Sequence, residues 1–441
     1  MDPCQSLSPL DGRYRDTVAD IRNYFSEAAL IKYRIKVEVK YLLMLNRFNV
    51  LPRKLTDDEQ LRLTNLYINF NIKYAHAVKE FEKETHHDVK AVEYFIRQHC
   101  PEDLHSMIHF ALTSEDINST SYMLMFMDFI EGCYYSVVNH LVESINTLAY
   151  DCNVPMLALT HGQPAVTTTM AKELQVFTTR INYLMREQSK LPYQNKFGGA
   201  VGTLAGHYQT FPDVDWLLLI KRFHSKMGLE RIDNTTQVNN YDNLACHLNY
   251  IKQVNTILID FARDIWSYVS RNLFKQSVAI GQVGSSTMPQ KINPINFENA
   301  EGNLQLSNAI LTCLTDHLPV SRMQRDLSGS TQIRNLGTAL GYSILAYKSL
   351  ISGLKKLSLN KETICRELQS HLFSIIMEPI QLVLRKHNIS NAYEICRDFA
   401  HKHQNISAQQ FADWIDSLEV SEATKTELSK IDMNKYLGNT S

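Results

Sequence analysis

Glycine and proline are scarce. They make up 28 of 441 residues, about 6%, where average usage gives about 12%. A β-sandwich, a set of Rossmann units or a disordered linker protein would need far more turn residues, so the shortage points to long helices with few connections. Net charge is also lacking. Lys+Arg 45 against Asp+Glu 46 leaves −1, so no global basic field exists to hold nucleic acid or an anionic membrane. An anionic small ligand would need cations gathered locally. The eight cysteines form no C-x-x-C pair, which fits reduced thiols in a cytoplasmic protein and neither a disulfide framework nor a zinc site. The start, Met1-Asp2-Pro3, has no apolar segment of the signal-peptide kind. The most apolar stretch, Tyr122 to Ile130, is short and interrupted by Asp128, so it cannot span a bilayer.

Helix formers fill the space that turns leave. Glycine is absent between Gly12 and Gly132, and Glu27 to Leu45 carries apolar residues through successive turns. Thr56-Asp57-Asp58-Glu59 reads as an N-cap followed by an acidic first turn. Further on, Tyr134, Val138, Leu141, Ile145 and Leu148 form one seam of period 3.5, and Ile251, Val254, Leu258, Phe261, Ile265 and Tyr268 form another. Such seams belong to helices packed lengthwise, in a core or against other subunits. Breaks at Cys100-Pro101 and after Leu354 divide the chain into an N-terminal helical domain (1–102), a central long-helix bundle (103–355) and a small C-terminal helical domain (356–441). The expected fold is all-α.

Four segments gather reactive side chains. Gly284-Ser285-Ser286-Thr287-Met288-Pro289-Gln290-Lys291-Ile292-Asn293-Pro294, leading to Glu298 and Asn299, reads as a mobile loop hinged at Gly281 and Gly284, or as a plain polar connection. In Thr160-His161-Gly162-Gln163-Pro164, a Gly/Pro interruption in a helical context, His161 suits proton transfer, although most lone histidines serve no such role. The stretch with His86, His87 and Asp88, followed by His109, Thr113 and Ser114, raises the question of a metal. Adjacent histidines cannot share a helix face and no H-E-x-x-H spacing occurs, so no metal is expected; Thr113-Ser114 before Glu115-Asp116 also resembles an N-cap. Arg322, Arg325 and Arg334, interleaved with hydroxyls such as Ser330, suit a phosphate or carboxylate, or else surface salt bridges. Arg13-Tyr14 adds a cation beside Gly12, and Gly198-Gly199-Ala200-Val201-Gly202 fits no nucleotide-loop spacing and reads as a turn.

The run G-S-S-T-M-P-Q-K-I-N-P resembles the G-S-S-x-M-P-x-K-x-N-P signature of the fumarase/aspartase superfamily, whose members eliminate fumarate. T-H-G-Q-P-A, H-D-V-K-A-V-E-Y-F, H-F-A-L-T-S-E-D-I-N, S-P-L-D-G-R-Y and S-R-M-Q-R-D-L-S-G-S-T together resemble the adenylosuccinate lyases, in particular their bacterial-type branch. That resemblance implies anti β-elimination of fumarate from adenylosuccinate, and from the succinyl-carboxamide ribotide of the purine pathway, with no cofactor. It implies Ser285 as general base and His161 as general acid, with Glu298 orienting the histidine. It implies Lys291 and Asn293 on the dicarboxylate; Thr113, Ser114 and Gln237 on the succinyl portion; and Arg13, Tyr14, Arg325, Ser330 and Arg334 on the phosphate. His86, His87, Asp88, Ser286 and Asn299 match further substrate-binding positions, and His109 a supporting one. His86 stands where relatives often have asparagine, and Gln290 where they often have histidine. The implied assembly is a cytoplasmic homotetramer whose sites draw on three subunits. Argininosuccinate lyases share the Ser285 loop without the D-G-R-Y segment; they and a catalytically retired helical scaffold are the alternatives.

Overall fold

A computed structural model describes residues 2–277, 288, 290–403 and 406–439. Ser285, Ser286, Gly281 and Gly284 lie outside the described residues. The chain is mainly helical. Its residues group into two compact units, one of 1–139, 182–259 and 299–349, the other of 140–181, 260–298 and 350–441.

The first unit is organised around the helix Glu27–Arg47, whose Leu30, Ile31, Ile35, Val37, Val39, Leu42 and Leu45 are buried. Ser26 starts it by accepting the Ala29 N–H at 3.1 Å. Thr56 and Glu59 close a reciprocal capping box on the helix Asp57–Ile68, as their spacing predicts. The helix Ser114–Phe129 and the 242–259 part of the helix Asp242–Ser270 complete the core, with Ile251, Val254 and Leu258 of the second seam turned inward. The seams therefore bury into the chain's own core. In the second unit, helices from Lys361 to Ser429 enclose a cluster of Leu368, Ile376, Ile380, Leu384, Cys396, Ile415 and Leu428.

One expectation needs correcting. Three small two-stranded sheets interrupt the helices. One is a hairpin, Pro155–Thr160 antiparallel to Gln163–Thr169, so His161 sits on a β-turn and not in a break between helices. The β-branched run Val166 to Thr169 favours a pleated strand, and His161 (φ 53°) and Gly162 (φ 73°) supply the two positive φ values of a two-residue type I′ turn. A second pair joins Leu357–Leu359 to Phe274–Gln276, just ahead of the helix that begins at Lys361 after Asn360. All eight cysteines are free, and among the described residues no helix is long and apolar enough to cross a membrane.

Candidate active site

In the first unit the helix Ser114–Phe129 starts where the side chain of Asp116 reaches back to the Thr113 N–H at 2.8 Å. Ser114 Oγ lies 3.4 Å from His87 Nε2. The paired histidines have a structural cause: His86, in the left-handed region at φ 51°, ends the helix Ile72–Thr85, and His87 caps the helix Asp88–Arg97. Because His87 Nδ1 accepts the Lys90 N–H at 3.2 Å, the ring proton belongs on Nε2, which donates toward Ser114. His109 Nδ1 donates to Glu38 at 2.6 Å; burial alone would lower the pKa of this imidazole, but the Glu38 carboxylate overrides it and the net shift is upward.

Next to this helix start is a cationic cluster. Arg34, 1% exposed, donates to Asp88 at 2.6 Å and through Nε to Asn118 at 2.9 Å. Arg334 reaches the same Asp88 oxygen at 3.1 Å. Burial would raise the Asp88 pKa, but the two guanidinium groups hold it below the usual carboxylate range. A narrow cleft opens here, with Arg34, Glu115, Tyr122, Tyr241, Ser330 and Arg334 in its walls. Glu115 is 5% exposed and accepts from the Tyr241 hydroxyl at 3.1 Å. Burial pushes its carboxyl up to about 7. Gln237 donates to the Ala200 carbonyl at 2.8 Å and accepts from Arg325 Nη1 at 2.9 Å. The Arg13 guanidinium stacks over Tyr14 at 5.8 Å, and the Tyr14 hydroxyl accepts from Asn299 at 3.1 Å.

Thus the structure joins His87 to Ser114, Asp88 to Arg334, Gln237 to Arg325, and Tyr14 to Asn299, all within one unit. It places Ser330 and Arg334 on the cleft. Arg334 also pairs with Glu27 at 3.5 Å, so the arginine run makes salt bridges as well as lining a cavity. Sequence reasoning passed over Arg34, Glu115 and Tyr241. A usable signal existed for Arg34: a cation inside the apolar run Leu30-Ile31-Lys32-Tyr33-Arg34-Ile35 must either snorkel or find a buried anion.

The second unit carries the other group. His161 is exposed at the hairpin tip, Lys291 and Glu298 are exposed, and Asn293 is half-buried. Glu298 accepts from the Trp266 indole N–H at 3.1 Å, and no hydrogen bond joins it to His161 among the described residues.

Residues 12–309 match the family described as lyase, and residues 321–437 match the family described as adenylosuccinate lyase C-terminal. Over 98% of its length the chain is 40% identical to an adenylosuccinate lyase of Dictyostelium discoideum, covering 96% of that protein. It is 38% identical to one of Escherichia coli (strain K12), at the same two coverages. The crystal structure of a fumarate lyase from Mesorhizobium sp. BNC1 has a TM-score of 0.74 with 17% identity, covering 96% of this chain and 95% of that one, a likeness of fold alone.

Proposed function

The chain belongs to the adenylosuccinate lyases of the fumarase/aspartase superfamily, and from that membership we propose that it eliminates fumarate from adenylosuccinate to give AMP. The observation that carries the proposal is identity of 38–41% across 98% of the chain to relatives that bear this name. The succinyl-carboxamide ribotide presents the same succinyl C–N bond, there to an amide nitrogen, and is assigned as the second substrate.

Each step needs a group this chain can supply. A base takes the Cβ proton of the succinyl portion, and the resulting carbanion spreads its charge into the neighbouring carboxylate. We assign the base to Ser285, with Lys291 and Asn293 holding that carboxylate; a serine alkoxide needs the ammonium and backbone N–H groups near it. The electron pair then closes the C=C bond of fumarate, the C–N bond breaks, and the leaving nitrogen takes a proton from His161. Imidazole suits this because its ordinary pKa lies close to neutral. Thr113, Ser114 and Gln237 grip the succinyl end, with His86, His87, Asp88, Ser286 and Asn299 as further contacts and His109 and Glu298 as supports. Arg13, Tyr14, Arg325, Ser330 and Arg334 take the phosphate, which answers the demand for local cations in a chain of net charge −1. An exposed His161 on a hairpin tip suits a site completed by other copies of the chain, and the family resemblance makes that assembly a homotetramer. Eight unpaired cysteines suit the reducing cytoplasm.

The test offers the protein adenylosuccinate and, separately, argininosuccinate, and follows the ultraviolet change as fumarate forms. Turnover of adenylosuccinate alone is expected. Turnover of argininosuccinate alone would move the chain to the sister activity, and turnover of neither would mark a retired scaffold.

A further inference from the structure

Two charged side chains of the first unit are withdrawn from solvent entirely, and neither belongs to the groups assigned above. Asp116 and Lys196 are each 0% exposed and meet at 2.6 Å. A buried ion pair is a poor source of stability, because desolvating two ions offsets most of their attraction. The geometry suggests another use. Asp116 Oδ1 accepts from Lys196 Nζ and from the Gly198 N–H at 2.7 Å. Its Oδ2 accepts from the Thr113 N–H at 2.8 Å and the Gly199 N–H at 3.1 Å. Lys196 Nζ donates in addition to the Gly199 carbonyl at 2.7 Å. One carboxylate thus fastens the helix start that bears Ser114 to the turn Gly198–Gly202.

The turn passes the constraint on. Gly202 has φ 83°, and a Cβ there would lie 2.1 Å from the Thr235 carbonyl oxygen, so only glycine lets the Thr235–Gln237 segment rest against it. Gln237 closes the path by donating to Ala200 and accepting from Arg325. We infer that the Asp116–Lys196 pair is a positioning device: it sets the spacing between Thr113–Ser114 and Gln237–Arg325, so that the succinyl and phosphate ends of one substrate are held in register. The inference rests on the substrate contacts assigned above.

The double variant Asp116→Asn/Lys196→Met removes both charges and leaves no unpaired ion. Its asparagine carries one acceptor oxygen and one N–H donor group, so it cannot serve Thr113 and the glycine turn together. With thermal midpoint near wild type, kcat/KM for adenylosuccinate should fall on the order of 100-fold, the scale of a misplaced binding group. Within that background Ser114→Ala and Gln237→Ala should each cost much less than in the wild type, since the register they depend on is already lost. Full, additive costs would overturn the positioning role. If the double variant does not fold, Asp116→Glu keeps the charge and displaces both oxygens by a methylene. It should lose kcat/KM at an unchanged midpoint; unchanged kcat/KM would overturn the inference. A wild-type protein that leaves adenylosuccinate intact would instead overturn the proposed function, and this inference with it.

Discussion

The two units hold their site residues in different ways. In the first, Arg34, Asp88, Arg334, Asp116, Lys196 and Gln237 each have two or more partners, and three of the six are at most 1% exposed. In the second, His161 and Lys291 are exposed, and Glu298 accepts from Trp266. Groups that grip an anion profit from being fixed beforehand, because no reorganisation is then needed when the charge arrives. Groups that move a proton need an enclosed, desolvated setting, and the hairpin tip alone does not provide one. On the roles proposed above, the substrate-gripping residues of the first unit are held in place beforehand, and the proton-transfer residues of the second are exposed within their own unit.

Substitutions in the two halves should fail in opposite ways. The largest effect is expected at His161. His161→Gln should lower kcat about 10²–10⁴-fold. Its unfolding midpoint should stay at the wild-type value, because the exposed ring supports no packing. A rise in KM alone would transfer His161 to the binding half. Arg34→Met should do the reverse and unfold the first unit more easily, by about 3 kcal/mol in a urea titration, since the half-buried Asp88 carboxylate loses its nearest cation. A cost near zero would show that Arg334 suffices for Asp88.

Glu115 gives a smaller effect with a defined sign. Burial lifts its folded pKa to about 7, above the value it has when unfolded. The folded state therefore binds the proton more tightly, and this contribution is full below the unfolded pKa and lost as pH rises through about 7. Glu115→Gln should flatten that decline and add about 1–3 kcal/mol relative to wild type at pH 8. An unchanged pH–stability slope would contradict it. The smallest effect belongs to Gly162→Ala. Nothing lies within 4 Å of the added Cβ and φ is 73°, so only backbone strain opposes it. A loss of about 1 kcal/mol in stability is expected, and a much larger one would mean that the turn is packed against something.

Local rules reached the parts of the fold that local rules decide. Thr56 and the Ile251–Ile265 seam behave as their spacing predicts, because caps and helix faces depend on neighbours within a few residues. The hairpin was missed because a short Val/Thr run just after Gly162 and Pro164 looks like a helix interruption unless its partner strand is known. In the site, the motif residues could be named but not their partners. Asp116 and Lys196 stand 80 positions apart, and charged residues in sequence read as solvated by default. The His86-His87 pair, which invites a metal reading, joins two helices by serving as the end of one and the cap of the next.

Subunit mixing probes the proton-transfer residues most directly. Ser285→Ala and His161→Gln proteins, each inactive alone, are unfolded together, refolded as an equal mixture and assayed with adenylosuccinate. If the two residues reach one site from different copies of the chain, random exchange should restore about a quarter of the sites. Activity no greater than the sum of the two separate variants would place both residues in the same subunit's site and contradict completion by a second copy.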